Sequence, residues 1–347
     1  MTHTDGDYTI FPYRAQHPEN NQRPLSGVLD GFLTIVLEKS EVLSGVCGAN
    51  DCHLRLIELS LGGRIATKGN ELSLEGTDAD AVWRFHAIVE KLAATVAGGD
   101  QPSTDFVRAV IESVADPDGP LDPGVLDESH IQIPHGFARV QARSLNQARY
   151  IRGMRTNDIV FCIGPAGTGK TFLAVAEALR EVLTKKYRKL VLTRPVVEAG
   201  ESLGFLPGDL AQKINPYLRP LYDAMEALVP YEILRRMEDT RAIEIAPLAY
   251  MRGRSLNDCI VILDEAQNTT KEQMKMFLTR IGEGSKAIIT GDATQIDLPR
   301  RAESGLLHAM KLLGDVEGLH FTYLNTRDVV RNPLIKKIIQ AYEREAE

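Results

Sequence analysis

Short apolar runs recur along the second half of the chain, separated by stretches in which apolar residues have helical spacing. Such runs are typical of buried strands. They predict strands at 158–163, 189–193, 242–246, 259–263, 286–290 and 319–323. Between the first two strands, Phe172, Val175 and Leu179 lie three or four residues apart, which indicates a helix. Strands that alternate with helices predict a mostly parallel sheet covered on both faces.

The first third of the chain has a different pattern. A helix is predicted to end at Gly62-Gly63, and alternating residues on either side of Gly69-Asn70 indicate a hairpin. Thr77, with Asp80 three positions later, opens a second helix. These elements predict a small α+β domain that looks like a KH-type module for single-stranded RNA. Gly45-Val46-Cys47-Gly48 has the letters of the glycine loop of such modules. A docking or oligomerisation domain is the alternative.

These patterns divide the chain into four segments. Residues 1–27 are polar and interrupted by prolines, and we predict a mobile tail. Residues 28–99 form the KH-like α+β domain. Residues 100–143 carry a helix near 106–114 and several prolines and glycines, which indicates a linker. Residues 144–347 form the domain of alternating strands and helices.

Composition limits the partners and the location of the protein. The chain has 347 residues and a net charge of −7, so a global positive field does not drive it onto nucleic acid. A local basic groove is still compatible with that balance. No apolar run approaches the roughly 20 residues that span a bilayer. The amino terminus lacks the order of a secretory signal. We therefore expect a cytoplasmic protein without a membrane partner.

One glycine-rich stretch carries the strongest chemical signal. Gly164-Pro165-Ala166-Gly167-Thr168-Gly169-Lys170-Thr171 lies between a predicted strand and a predicted helix. In this setting, backbone N–H groups of the loop and the start of the helix bind phosphates. Lys170 would contact the β- and γ-phosphates of ATP, and the Thr171 hydroxyl would ligate Mg²⁺. We assign this loop and the following Phe172 to nucleotide binding.

Two carboxylates follow the predicted strand 259–263. Asp264 would hold Mg²⁺ together with Thr171. Glu265 is placed to act as a general base on a water molecule aimed at the γ-phosphate. Because a kinase needs its substrate hydroxyl in that place, Glu265 favours hydrolysis over transfer of the phosphoryl group.

Polar turns follow two further strands. In Thr290–Gln295, the amide of Gln295 is predicted to sense the γ-phosphate and Asp292 to anchor the turn. Thr193-Arg194-Pro195 lies at the end of the strand after the glycine loop. A hydroxyl and a guanidinium at such a strand end face either a phosphate backbone or the neighbouring site.

These motifs, with Leu203–Gly208, Pro247–Arg254 and Leu263–Asn268, resemble the PhoH-like family of ATPases related to superfamily 1 helicases. The resemblance covers 144–342 densely and 50–95 more weakly. It implies a RecA-like P-loop NTPase core, use of ATP and Mg²⁺, and a homo-oligomeric ring. It also implies association with single-stranded or structured RNA and partnership with a YbeY-type endoribonuclease.

The same resemblance suggests roles for residues outside the glycine loop. Gln147 would read the adenine base, since an amide can pair with both N6 and N7 of adenine. Arg331, in the closing motif of the family, would act as an arginine finger, and Arg327 is the competing candidate. Relatives usually carry histidine where Asn332 stands in this chain.

Three functions follow from the sequence. The first is ATP hydrolysis coupled to RNA remodelling or processing, including helicase activity, with Arg252 or Arg254 contacting the RNA. Superfamily 1 translocases use two RecA-like domains, so a ring neighbour would replace the second one here. The second function is a nucleotide-controlled scaffold that docks an endoribonuclease or ribosomal partner. The third is a small-molecule kinase.

Overall fold

The structure is a computed structural model that describes residues 4–5, 8–10, 33–37, 39–75, 79–115, 126, 130–195, 210–299 and 303–329. The chain divides into two compact units. The first contains Met1–Leu126 and Arg143–Leu145, and the second contains Asp127–Ala142 and Asn146–Glu347.

The first unit combines an antiparallel sheet with helices. Its strands are β1 (Thr4–Asp5), β2 (Tyr8–Ile10), β3 (Leu33–Leu37), β4 (Arg64–Lys68) and β5 (Glu71–Glu75). Its helices are α1 (Ser40–Cys47), α2 (Cys52–Leu61), α3 (Ala79–Ala97) and α4 (Thr104–Ala115). The strand order is β1-β2-β3-β5-β4. The predicted hairpin and the helix that ends at Gly62 are confirmed, which confirms the α+β fold.

The glycine loop expected for this unit does not form at Gly45–Gly48. Gly45 and Cys47 lie inside α1, a helix that the apolar pattern did not indicate. A Cβ atom at position 45 would lie 2.6 Å from Val96, so glycine lets α1 pack closely against α3. The turn between α1 and α2 ends at Asp51. Asp51 is the N-cap residue of α2, and a negative charge at that position repels a phosphate.

Two of the predicted segments, the tail and the linker, contain elements of the first unit. Strand β2 lies within the predicted mobile tail and pairs with β3, with Tyr8 opposite Leu37. Helix α4 lies within the predicted linker, but its apolar face is buried in the first unit at Phe106, Val107 and Val110. Helix α4 buries apolar residues that the prolines and glycines after it obscured.

The second unit is built on a parallel sheet. Its strands are β6 (His130–Gln132), β7 (Arg139–Gln141), β8 (Ile159–Ile163), β9 (Lys189–Arg194), β10 (Ile243–Pro247), β11 (Cys259–Leu263), β12 (Lys286–Gly291) and β13 (Leu319–Tyr323). Its helices are α5 (Leu145–Thr156), α6 (Lys170–Leu183), α7 (Leu210–Glu226), α8 (Tyr231–Asp239), α9 (Lys271–Leu278) and α10 (Gly305–Leu313). In the described ranges, no helix is long and apolar enough to cross a membrane.

The order of the six-stranded sheet is β10-β9-β11-β12-β8-β13, and all of its pairs are parallel. The predicted strands are confirmed to within one residue at each end. Every residue of β11 is buried, as expected for a central strand covered on both faces. The core includes Phe161 on β8, which stacks on Phe321 at a ring-centroid distance of 4.6 Å.

A parallel arrangement brings the carboxyl ends of all six strands to one edge of the sheet. The last residues of these strands are Ile163, Arg194, Pro247, Leu263, Gly291 and Tyr323. The glycine loop and the predicted polar turns follow directly from four of them, β8, β9, β11 and β12. The fold therefore gathers the candidate residues along one edge.

The edge strand β10 is held by an ion cluster around Glu244. Arg254 donates to both carboxylate oxygens, at 2.6 and 3.0 Å, and Lys189 on β9 donates to one of them. The hydrogen bonds from Arg254, followed by the contribution of Lys189, lower the pKa of Glu244 to about 2. The guanidinium of Arg254, a predicted RNA contact, thus has a structural partner.

This cluster makes part of the stability depend on pH. The pKa of Glu244 is about 2 in the folded protein against a usual value of 4.5. The ionised Glu244 therefore stabilises the folded protein above pH 4.5, and this stabilisation is lost as the pH falls toward 2. We expect the difference in free energy of unfolding between wild type and Glu244→Gln to shrink as the pH falls from about 5 toward 2 in urea denaturation. The exposed Glu283→Gln is the control and should show a constant difference, and a constant difference for Glu244→Gln would contradict the assignment.

Candidate functional site

The glycine-rich loop connects β8 to α6 in a conformation that depends on glycine. Gly167 and Gly169 have φ angles of 82° and 81°, in the left-handed region that favours glycine. Thr168 is buried, and its hydroxyl donates to the Pro165 carbonyl at 2.8 Å. Phe172, on the first turn of α6, is 36% exposed. The loop therefore ends where the amino terminus of α6 begins.

Lys170 folds back across this loop. Its ammonium nitrogen donates to the carbonyl oxygens of Gly164 and Pro165 at 2.6 and 2.8 Å. Burial lowers the pKa of Lys170, and the negative charges of nearby groups, including Asp292, oppose that effect. A buried ammonium that donates to backbone carbonyls rather than to a carboxylate is suited to bind an anion.

Helix α5 holds the loop from one side. The buried side chain of Gln147, 3% exposed, donates to the Thr168 carbonyl at 3.0 Å. The Tyr150 hydroxyl donates to the Lys170 carbonyl at 3.4 Å. The structure thus places Gln147 against the glycine loop, and its reading of adenine stays a prediction.

Two buried glutamates fix α6 beneath the loop. Arg155 on α5 and Arg180 both form ion pairs with Glu177, at 3.1 and 2.5 Å. Lys186 pairs with Glu181 at 2.7 Å. Both carboxylates are fully buried, so these pairs have a structural function, and the pair of Arg155 with Glu177 ties α5 to α6.

Asp264, directly after β11, meets the glycine loop as predicted. Its Oδ1 atom accepts hydrogen bonds from the Thr171 hydroxyl at 2.6 Å and from the Thr290 hydroxyl at 2.7 Å. The carboxylate is 4% exposed. The structure therefore brings together the two residues that were predicted to hold Mg²⁺.

These residues fit the ligand chemistry of Mg²⁺. A hydroxyl and a carboxylate are hard oxygen donors, and Mg²⁺ in nucleotide sites is commonly bound by one or two protein oxygens, water and phosphates. Within the described part of the chain, the second oxygen of Asp292 is buried without a hydrogen-bond partner, and its negative charge acts on Lys170. Thr171 and Asp264 would hold the ion.

Glu265 has an unusual backbone conformation. Its φ angle is 52°, in the left-handed region, although it is not a glycine. Its Oε1 atom pairs with the Arg194 guanidinium at 2.9 Å, and its Oε2 atom accepts from the Gln267 amide at 2.5 Å. Strained residues of this kind are concentrated at functional sites. The side chain of Glu265 is thus positioned by two specific partners.

Gln267 connects the two polar turns and was not singled out from the sequence. Besides Glu265, its amide nitrogen donates to the Gln295 carbonyl at 3.1 Å. Its amide oxygen accepts from the Asp292 backbone N–H at 2.9 Å. The side chain is 1% exposed. A glutamine within three residues of the acid pair was the available signal, but two of its partners lie in the turn after β12, a different part of the sequence.

The turn after β12 is anchored as predicted. Asp292 Oδ1 accepts from the Thr294 backbone and hydroxyl at 2.9 and 2.6 Å. The side chain of Gln295 is exposed, and only its backbone carbonyl contacts Gln267. Sensing of a γ-phosphate by Gln295 stays a prediction.

Other predicted residues have different outcomes. Thr193 on β9 is fully buried, so it does not face a phosphate backbone, and its hydroxyl has no hydrogen-bond partner among the residues that the structure describes. Arg327 is exposed on the turn after β13. The neighbouring Asp328, which accepts from Asn146 at 3.0 Å, fixes that turn to α5. Arg331 and the motif at 203–208 lie outside the described residues.

A glycine loop between a parallel strand and a helix, with a carboxylate from a neighbouring strand bound to its threonine, defines a P-loop NTPase. The chain belongs to the PhoH-like family, because the family model described as PhoH-like protein matches residues 139–343.

Curated relatives agree with this assignment. The PhoH-like protein of Mycobacterium tuberculosis (strain ATCC 25618 / H37Rv) is 46% identical over 304 residues, which cover 88% of this chain and 86% of that protein. The PhoH-like protein of Bacillus subtilis (strain 168) is 45% identical over 298 residues, covering 86% and 93%. Among solved structures, the Pif1 helicase from Candida albicans matches 57% of this chain and 42% of its own, with 16% identity and a TM-score of 0.31. That similarity is too low to bear on fold or function.

Removal of the Gln267 side chain should loosen both polar turns. In Gln267→Ala, the Asp292 N–H loses its acceptor, and an unsatisfied buried group costs about 1–3 kcal/mol. We expect the free energy of unfolding in urea to fall by about that amount. Gln295→Ala is the matched control and should change stability by less than about 0.5 kcal/mol, because its side chain is exposed. Equal stabilities for the two variants would contradict the connecting function of Gln267.

Proposed function

We propose that the protein hydrolyses ATP in a Mg²⁺-dependent reaction and couples hydrolysis to the remodelling or processing of RNA. The observation that supports hydrolysis is the convergence of the glycine loop with two successive carboxylates. Thr171 bonds Asp264, and Glu265 follows it at the same edge of the sheet.

The residues of the site have separate tasks in this proposal. The loop N–H groups and Lys170 bind the β- and γ-phosphates. Mg²⁺, held by Thr171 and Asp264, neutralises phosphate charge when it is bound. Glu265 accepts a proton from the attacking water as a new O–P bond forms at the γ-phosphorus. The bond between the γ-phosphorus and the bridging oxygen breaks, and ADP leaves with that electron pair. Phosphate is the second product.

The proposal also gives functions to residues outside the glycine loop and the acid pair. Gln147 reads adenine, Gln295 senses the γ-phosphate, and Arg331 or Arg327 supplies an arginine finger within a homo-oligomeric ring. A finger contributes roughly 10³ to 10⁵ in rate. Glu265 favours water as the acceptor, which argues against a small-molecule kinase.

Two variants test the hydrolytic part. Lys170→Ala should abolish both tight binding and turnover of ATP, because the phosphates lose their cation. Glu265→Gln should bind ATP normally and hydrolyse it about 10²- to 10⁴-fold more slowly, because the general base is lost. Phosphate release measures turnover, and equilibrium binding of a labelled ATP analogue measures affinity.

The exposed Glu317→Gln provides a matched carboxylate-to-amide control and should keep the wild-type rate. Wild-type turnover in Glu265→Gln would refute the assignment of the base. Turnover in Lys170→Ala at the wild-type rate would refute the nucleotide site itself.

The turn after β10 supports the RNA part of the proposal. Leu248 and Met251 anchor it in the core, whereas Tyr250 is 54% exposed and Arg252 is exposed. An exposed aromatic ring beside an exposed guanidinium suits single-stranded RNA, because bases stack on the ring and phosphates pair with the cation. The turn lies at the carboxyl edge of the sheet, the edge that carries the glycine loop.

Other basic residues are less suited to this task. Arg180 and Lys186 are engaged by buried glutamates on α6. Lys189 and Arg254 share Glu244. Release of these cations to an RNA backbone would leave buried or half-buried carboxylates without partners. Tyr250 and Arg252 therefore form the preferred contact surface.

Alanine substitution tests this surface. Tyr250→Ala should weaken binding of fluorescent single-stranded RNA by roughly 5- to 150-fold, the equivalent of about 1–3 kcal/mol for base stacking. Arg252→Ala should weaken binding and reduce its dependence on salt. Tyr231→Ala and Arg235→Ala, exposed residues of α8, are the matched controls and should bind RNA like the wild type.

The scaffold hypothesis predicts a different outcome. The described residues contain one parallel six-stranded sheet, and a translocating motor needs a second core, supplied here by a ring neighbour. Stimulation of ATP turnover by single-stranded RNA, with separation of a tailed duplex, supports the motor. If the protein binds a YbeY-type endoribonuclease or ribosomal partner only with ATP, and shows neither RNA-stimulated turnover nor duplex separation, the scaffold hypothesis replaces the motor hypothesis.

A further inference from the structure

Arg194 links the proposed general base to a neighbouring strand. Its Nη2 atom lies 2.9 Å from Oε1 of Glu265. Arg194 is the last residue of β9, and Glu265 is the second residue after β11, the strand beside it. The side chains are 21% and 33% exposed, so the pair is sheltered but still reachable from solvent.

This pair, with Gln267, fixes the orientation of the Glu265 carboxylate. Oε1 is bound by Arg194 and Oε2 by Gln267, so each oxygen already accepts a charge-assisted or amide hydrogen bond. A water molecule that is to give its proton to Glu265 must share or replace one of these partners. Gln267 is buried and tied to two backbone groups on the next turn. Arg194 is the more exposed of the two partners and can leave more readily.

The strand register connects Arg194 to the proposed RNA surface. Arg194 pairs with Pro247, the last residue of β10. The turn that carries Tyr250 and Arg252 begins immediately after Pro247. An RNA strand that stacks on Tyr250 would bring its phosphates to the carboxyl edge of β9 and β10. A guanidinium binds phosphate with two parallel hydrogen bonds, as it does a carboxylate.

We propose that Arg194 is a positioning residue that holds Glu265 in a resting orientation, and that a phosphate of single-stranded RNA draws the guanidinium away and releases Glu265 to act on water. This inference rests on the proposed function and adds a way in which RNA regulates ATP hydrolysis. On this proposal, bound RNA accelerates hydrolysis without a contact to the nucleotide. We call the ion pair of Arg194 and Glu265 the latch.

The latch is tested by phosphate release with and without single-stranded polyuridylate. Arg194→Ala should raise the rate without RNA several-fold, bring the ratio of stimulated to unstimulated rates close to one, and leave the KM for ATP unchanged. Arg194→Lys retains a point charge but not the planar fork, so its ratio should lie between those of Arg194→Ala and the wild type. Arg188→Ala, an exposed residue before β9, is the control and should keep the wild-type ratio.

A second readout does not depend on turnover. In the absence of nucleotide, Arg194→Ala should bind fluorescent single-stranded RNA more weakly and lower the slope of log affinity against log salt by roughly 0.7, the value for one lost phosphate contact. An unchanged slope would contradict the contact between Arg194 and RNA. Thermal unfolding of each variant checks that the fold is retained.

The outcomes separate the latch from the proposed function. A fall of both the basal and the stimulated rates in Arg194→Ala would overturn the latch and show that Arg194 assists the reaction directly. Wild-type ratios in Arg194→Ala would also overturn it. A wild-type protein that hydrolyses no ATP under any condition would instead refute the proposed function.

Discussion

One carboxylate oxygen, Oδ1 of Asp264, joins the parts of the site. It accepts hydrogen bonds from Thr171 at the start of α6 and from Thr290 on β12, at 2.6 and 2.7 Å. Asp264 itself follows the central strand, which is buried along its whole length. Because a parallel sheet brings these strand ends to one edge, a short polar side chain can reach both neighbours. The glycine loop, the acid pair and the turn after β12 thus share one fixed point.

Local sequence patterns were sufficient to predict the strands of the sheet and the glycine loop that position this site. The strands of the sheet are continuous apolar runs, and a run of five buried residues such as β11 is visible without any tertiary information. The glycine loop is equally local, since its phosphate-binding groups belong to consecutive residues. Helix α1 was missed because it is short and contains Gly45, which is unfavourable in a helix by about 1 kcal/mol relative to alanine. Only its contact with Val96 explains the glycine.

The side-chain contacts within the site could not be predicted from local sequence patterns. Gln267 meets Asp292 and Gln295, and Arg194 meets Glu265, through the pairing of strands that are distant in sequence. A sequence indicates which residues end a strand but not which side chains touch across the edge. In the same way, the sequence does not show which partners the basic side chains have. Arg254 is a predicted RNA contact, and the structure pairs it, together with Lys189, with Glu244.

The central claim is that the glycine loop, Asp264 and Glu265 act on a single magnesium–nucleotide complex. The most direct measurement is a crystal structure of the protein with Mg²⁺ and a non-hydrolysable ATP analogue. The account predicts that Lys170 leaves the carbonyls of Gly164 and Pro165 for the terminal phosphates. It also predicts that Mg²⁺ lies about 2.1 Å from the Thr171 hydroxyl oxygen. An analogue bound away from Lys170, or bound with Asp264 and Glu265 turned from its γ-phosphate, would contradict it.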